Sequence, residues 1–518
     1  MSYLSYDFPH TRNQDSDLRQ IVEMYRKVAD VPQLLEELEE FIKTTDATIE
    51  KTTKEWLESN LPNIIHPYIL VDDFGAVGDG VTDDTQAIQN AINYAASNNK
   101  YVVFTPLKSY FINTVTNYAA LRLPSNTHIV GNYATLIAGD NLGYNFLIVN
   151  DANGISGGYS ANSNINIDSL QIDGQYLVST LIGIGHAQQI RITNCSFKSL
   201  SGWHMIELNA VKDGIIDKCA FREYMGSETS EMVQLDCMKD KTVFPAFGPY
   251  DGAHCSGIRI TNCYFANFAF ANRNCTIGTA KAAGIGNHSA LLGHEPHEVI
   301  ISHNVFENLT QGIKFVNLAG ATIANNMMLN CYVGIVCEGG RVLNTIITSN
   351  EIYGHSSEAG ALQCRGITIG ANVNTADNRA FKVNIIANVV ANFLDYGISL
   401  NGANSLIADN IISDIIGRLD ETTQTRKGGR GLAVAYSQEN VTFRGNFIRT
   451  TNEANMFIFN FNSSNIKVIE NDAQTVHVNE QSDSTYFINN FISGTFGNAN
   501  NVKHMNNIVG GALDSPNI

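Results

Sequence analysis

The sequence is poor in charge, in proline and in tryptophan. Only 16% of its 518 residues are Asp, Glu, Lys or Arg, and it has 10 Pro and 2 Trp. Cations are the scarcer sign: 33 Lys and Arg against 50 Asp and Glu leave a formal net charge of -17. No long basic run interrupts that balance. Nucleic acid is thereby excluded as a partner, because binding it needs a concentrated cationic face. An anionic ligand would need local Lys or Arg. No window is apolar enough to cross a bilayer. The N-terminal MSYLSYDFPHTRNQDSDLRQ lacks the apolar centre of a secretory signal peptide. We therefore expect release by lysis or carriage on a virion tail, with no membrane span. The 9 Cys are an odd number without a C-x-x-C pair, which argues against a disulfide framework and against a zinc site. Neither a metal nor another cofactor is expected.

Against these absences stand 42 Gly and a hydrophobic share of 44%. Many tight turns, few Pro and a large core suit a β-rich solenoid. Residues 17–66 differ from the rest. Ile21, Met24, Val28, Val31, Leu35, Leu38, Ile42, Thr45, Ile49, Thr52 and Trp56 recur at alternating steps of three and four, a heptad seam. Pro32 after Asp30 starts a second helix. The segment reads either as a helical hairpin or as an oligomerising stalk, and we favour the stalk. Three regions follow from this: an arm at 1–16, a helical attachment segment at 17–66 and a solenoid from 67 to 518.

The stretch VDDFGAVGDGVTDDTQAIQNAINYAASNNKYVVFTP (71–106) opens the solenoid. Thr82 is expected to cap a helix that buries Ala87, Ile88, Ala91 and Ile92. Beyond it, short β-rich runs recur, among them RITNCSF, IIDKCAF, RITNCYF, IISHNVF, TIANNMM, IITSNEI and LIADNII. Asn304 and Asn326 stand 22 residues apart, as do Asn388 and Asn410. A period in the low twenties with two or three strands is one coil of a parallel β-helix. Asn304, Asn326, Asn350, Asn388, Asn410, Asn446, Asn471, Asn490 and Asn507 then stack as a ladder. Cys195, Cys219 and Cys263 take the same rung in earlier coils, as buried thiols.

The motif FGAVGDGVTDDTQAIQNAI resembles that of the pectate-lyase-like right-handed parallel β-helix proteins, which include polygalacturonases and phage tailspikes. A heptad segment before it is similar to phage tail or neck appendages. The resemblance implies a mainly β, single-stranded right-handed β-helix that acts on a bacterial surface polysaccharide. The seam from Leu35 to Trp56 is expected to drive self-association into a homotrimer, and the appendage resemblance implies contact with phage tail proteins through the N-terminus.

Strand alternation points to a site. A second strand precedes each ladder strand, and we align these on Ile184, Ile206, Val233, Ile285, Ile313, Ile335, Ile367, Ile398 and Leu432. Outward neighbours are then Glu207 and Asn209, Gln234 and Asp236, Gly286 and His288, Lys314 and Val316, Val336 and Glu338. Asn209, Asp236 and His288 share one row; Glu207, Gln234 and Lys314 share the next. Insertions 239–257, 269–282 and 290–298 are expected to wall a cleft there. Asp236 is read as general acid, Glu207 as base, and His288 as tuning Asp236 in glycoside hydrolysis. Asn209, Gln234, Asp251, Lys314 and Glu338 are read as substrate contacts. The plainer alternatives are solvated β-face residues, and for Asp251 a Tyr-Asp-Gly turn. A lyase using His288 and Lys314 is the rival enzyme; a teichoic-acid phosphodiesterase and a non-cutting glycan adhesin remain open. His294 and His297 in HEPHE lack the helical spacing of a zinc motif.

Overall fold

The computed structural model describes residues 67–513, apart from 268–282, 356–363, 371–379 and several shorter stretches. The arm and heptad segment lie outside the described residues. Each coil from Leu70 onward runs through three parallel sheets and returns to the first. This is the parallel β-helix that the repeat predicts. The strands stack in register at about 4.8 Å per coil. No helix among the described residues is long and apolar enough to cross a membrane.

The first sheet carries the site. Its strands, with their continuations, are β1 (Thr180–Thr193), β2 (His204–Asp217), β3 (Glu231–Asp236), β4 (Ala283–Gly286), β5 (Gln311–Phe315), β6 (Val333–Cys337) and β7 (Arg365–Ile369). Ile206, Val233, Ile285, Ile313, Ile335, Ile367, Ile398 and Leu432 pair in successive coils, as the alignment expects. The coil before them differs by two residues: Ile182 pairs Ile206, and Ile184 pairs Leu208. An Ile-Gly-Ile-Gly alternation offers both registers, and only pairing decides between them.

The core is built by repetition. Phe197, Phe221, Phe265 and Phe306 stack with centroids 5.0, 4.6 and 4.9 Å apart, nearly parallel, one ring per coil. The turn between second and third sheets needs a left-handed residue in every coil. Asn194, Lys218, Asn262, His303, Asn325, Ser349, Ala387, Asp409, Glu470, Asn489 and Asn506 hold φ between +53° and +59° there. Such a φ costs roughly 1–2 kcal/mol for a residue with a Cβ. The Asn ladder one residue later offsets that cost. Asn326 donates to the carbonyl of Ile301 and to Asn350 Oδ1, both at 2.9 Å, while its own Oδ1 accepts the Asn304 backbone N–H at 3.1 Å. The same pattern runs to Asn507. Cys263 lies under Asn304 and donates its backbone N–H to Asn304 Oδ1 at 2.9 Å, so the cysteines do continue the ladder. All eight described cysteines are buried, and none of them forms a disulfide.

At the N-terminal end the helix α1 spans Thr85–Ser97 and buries Ile88, Ala91, Ile92 and Ala95. Its N-cap is Asp84, not Thr82. Thr82 belongs to the strand Asp79–Asp83, where its hydroxyl donates to Asp79 at 2.8 Å.

Candidate active site

The site begins with a break in strand alternation. Met232 and Val233 are both fully buried. Met232 stands beside Gly284, since Glu231 pairs Ala283 and Val233 pairs Ile285. A Cβ on Gly284 would meet the core ring of Phe306, and one on Gly334 or Gly397 would meet the core residue Ile352 or Ile412. Two successive positions therefore face the core in every coil. The residue before them is turned to the outer face. In β2 and β3 that residue is His204 and Glu231. Strict two-residue alternation hides both, and the sequence reading missed them. The available signal is the recurrent Gly-Ile pair, which marks a doubled inward position.

Glu231 is the centre of a charged cluster and is 0% exposed. Lys314 Nζ donates to its Oε1 at 3.0 Å, and His288 Nδ1 donates to its Oε2 at 3.0 Å. His204 Nδ1 donates to its backbone carbonyl at 2.7 Å, which fixes the tautomer of that ring. The His204 and His288 rings stack 5.5 Å apart. Burial pushes the Glu231 carboxyl up, but the His288 hydrogen bond and the Lys314 charge outweigh it and hold it below its ordinary value. Burial lowers His288, yet the bond to Glu231 and its charge win and raise the imidazole. For His204 burial outweighs the raising charge of Glu231, whose carboxylate lies 3.9 Å away, and takes the ring down to about 4. The side chains of His288 and Lys314 remain 25% and 15% exposed, so these two reach the surface from a buried carboxylate.

The expected rows are present except for His288: its strand ends at Gly286, and the side chain bonds Glu231 instead of pairing in the row of Asp236. Glu207 pairs Gln234, Asn209 pairs Asp236, and Gln234, Gly286 and Lys314 follow one another. What differs is exposure. Glu207, Asn209, Gln234 and Asp236 are all 0% exposed, so none faces an open cleft. Chain from the insertion at 239–257 lies over the coil next to Glu207 and Asn209, and Ser289 caps Asp236. Met238 and Phe244 pack with Phe146, Val149, Ala119 and Ala210 over the outer face. Gly185 fits only because it has no Cβ, which would strike Met238 and Phe244. The insertion is a cover over the early coils rather than a wall beside them.

Under that cover the two carboxyls are proton-holding groups. Burial pushes Asp236 up to about 6, against the charge of His288 and the backbone N–H of Cys237. Its oxygens also accept from Ser289 N–H and from Gln234 at 3.1 Å each. Burial pushes Glu207 up to about 8, against hydrogen bonds with Thr180 and Asn209. The folded value lies above the unfolded one, so Glu207 favours folding while protonated. That advantage fades as pH rises from about 4.5 to about 8. Glu207→Gln cannot ionise. Its melting temperature should match the wild type near pH 4.5 and exceed it increasingly toward pH 8. Parallel melting curves across that range would show otherwise.

Asp251 lies in the cover loop, where its carboxylate accepts the backbone N–H groups of Gly158 at 2.7 Å and Ala253 at 3.0 Å. It serves the turn. Glu338 is held by Arg365 at 2.9 Å in a later coil and does not join the Glu231 cluster. His297 bonds His254 at 2.9 Å and Ser256 at 3.0 Å, while His294 bonds the Gly252 carbonyl at 2.6 Å. These histidines tie the loop 290–298 to the cover.

His204, Glu231 and His288 bring donor atoms within 4.8 Å of one another, the one such grouping among the described residues. They fit a divalent cation poorly. Lys314 already occupies one carboxylate oxygen, His288 carries its proton toward the other, and both charges oppose a dication.

These features define the class: a pectate-lyase-like parallel β-helix. The chain belongs to the rhamnogalacturonase A/epimerase, pectate lyase-like family, whose profile matches residues 68–361. It is 26% identical over 290 residues to plasmin and fibronectin-binding protein A of Streptococcus pneumoniae, covering 50% of this chain and 38% of that one. It is 25% identical over 347 residues to the pre-neck appendage protein of Bacillus phage B103, covering 65% and 37%. It is 25% identical over 320 residues to the capsule K30/K69-specific depolymerase of Klebsiella phage K64-1, covering 56% and 35%. The matches thus span less than two fifths of these relatives' length. The crystal structure of the S. pneumoniae surface adhesin PfbA aligns with a TM-score of 0.57 at 19% identity, over 77% of this chain and 93% of the other. Tailspike protein 3 of bacteriophage CBA120 aligns with a TM-score of 0.55 at 13% identity, over 87% and 62%. At such identities the structural likeness shows the fold.

Proposed function

We propose that this chain is a depolymerase of a bacterial surface polysaccharide, carried on a phage tail, and that it cuts an acidic glycan by elimination. The observation that carries the reading is the Glu231–His288 pair. With Nδ1–H donated to an ionised carboxylate, the Nε2 lone pair of His288 is left as the base. His288 takes the proton from the carbon beside the uronate carboxylate. That electron pair becomes the new C=C bond, the glycosidic C–O bond breaks, and the departing oxygen takes a proton from water. Lys314, at the surface beside it, stabilises the charge that builds on the uronate. The phage appendage and capsule depolymerase among the relatives support both setting and substrate.

Hydrolysis by Asp236 and Glu207 is the second reading, favoured by their raised proton affinities. It requires the 239–257 cover to open. Incubation with host capsule or wall polysaccharide separates the readings. Elimination yields an unsaturated, ultraviolet-absorbing end; hydrolysis yields reducing ends without it; an adhesin releases nothing.

The same reading includes a homotrimer. On the third sheet one outward row runs Met327, Glu351, Val389, Ile411, Phe447, Asp472, Phe491 and Ile508, and its Met327, Ile411, Phe447, Phe491 and Ile508 are 39–47% exposed. Large apolar side chains exposed in one row, even with two carboxylates among them, call for a partner surface. Together with the heptad seam, they favour further copies of the chain. Light scattering should give three copies at micromolar concentration, and Ile411→Lys with Phe447→Lys should reduce that number. A monomeric wild type would end the idea.

A further inference from the structure

A second groove, of about 760 Å³, runs along the second sheet, away from the Glu231 cluster. Its floor is one outward row: Arg191, Ile215, Arg259 and Ile300 are paired in successive coils. Its rim is the preceding turn, where Gln189, Asp213, Gly257 and Glu298 all adopt positive φ. The two lines alternate out of phase. Coils with an arginine on the floor carry Gln189 or Gly257 on the rim, and coils with an isoleucine carry Asp213 or Glu298. Arg191, Arg259, Asp213 and Glu298 are exposed, while Ile215 and Ile300 are half-buried. At Gly257, φ +66°, the missing Cβ leaves room for the carboxylate of Asp213, which a side chain there would strike.

Charge therefore repeats every second coil, on the order of 10 Å along the axis. That is the length of a disaccharide. We propose that this groove is an accessory binding site for an acidic polysaccharide with one carboxylate per disaccharide. Carboxylates on alternate sugars lie on Arg191 and Arg259, whose planar guanidinium groups suit them. The intervening rings lay their C–H faces on Ile215 and Ile300. Asp213 and Glu298 accept hydrogen bonds from ring hydroxyls. A neutral glycan would leave both arginines without an anion, and a glycan charged on every sugar would press a carboxylate against each acidic rim residue. The site gives the chain a second hold on its polymer and requires no particular chemistry at His288.

The test uses the full chain and a fluorescent hyaluronan octasaccharide, which carries a carboxylate on every second sugar. Neutral dextran and oligogalacturonate of equal length are the comparisons. Wild type should bind the hyaluronan probe at least tenfold more tightly than either. Arg191→Ala with Arg259→Ala should weaken that binding at least tenfold and flatten its dependence on salt. Lys467→Met, on a later coil of the second sheet and outside the groove, should leave it unchanged. Absent hyaluronan binding, an unaffected arginine variant, or an equal loss in Lys467→Met would each overturn the proposal. Loss of cleavage at His288 with retained probe binding separates this groove from the catalytic reading.

Discussion

His288→Ala should lower the rate of polysaccharide cleavage by about 10²–10⁴-fold, the usual contribution of a positioned general base. Glu231→Gln should cost a comparable amount for a different reason. The carboxylate holds the His288 proton on Nδ1 and raises its proton affinity. A neutral amide removes both effects, and the base then sits in the wrong tautomer more of the time. The pH profile separates this role from mere support. In the wild type the active, neutral form of His288 appears only above its raised pKa, so the rate climbs late with pH. Without the Glu231 charge that rise should move to lower pH, even as the maximum falls. Asp236→Asn should retain most of the rate if elimination is correct and lose nearly all of it if Asp236 is the acid of a hydrolase. Ser399→Ala, in a later coil of the same sheet, is the control. Circular dichroism checks folding throughout. Full activity in both His288→Ala and Glu231→Gln would place the chemistry elsewhere.

Asn326→Ala should give a large loss of stability. The side chain supplies two donors and one shared acceptor to groups that are themselves buried. Alanine takes the Asn326 bond from the Ile301 carbonyl and from the Asn304 backbone N–H, while the Asn304 side-chain amide keeps the Ile260 carbonyl. Each buried orphan costs about 1–3 kcal/mol. A solenoid passes the damage to its neighbours, because each coil rests only on the adjacent ones. The melting temperature should therefore fall by several degrees, while probe binding at the remote arginines survives in the folded fraction. Unchanged melting would mean that water replaces the amide.

The coil repeat was legible because it is local. An inward aliphatic, a left-handed turn residue and an Asn recur at fixed offsets, and Asn304 to Asn507 follow from that spacing alone. The register from Ile206 to Leu432 was legible too, since a slip of one residue would expose the whole inward face. Glu207, Asn209, Gln234, Asp236 and Lys314 were therefore placed in the right rows without coordinates. His204 and Glu231 were not. Their orientation depends on the doubled inward position at Met232 and Val233, which a two-residue period cannot express.

By itself, then, the sequence determined the solenoid, its ladder and which side chains become neighbours from coil to coil, because in-register stacking turns spacing into contact. Only the tertiary structure decided which of those side chains meet solvent. That depended on chain from the loop 239–257 folding back until Met238 and Phe244 pack over Gly183 and Gly185, the coil beside Glu207 and Asn209, a long-range packing event without periodic trace in the chain. It also decided the charge of each group, since burial, with the neighbouring carboxylates, raises Glu207 whereas His288 and Lys314 hold Glu231 below its ordinary value.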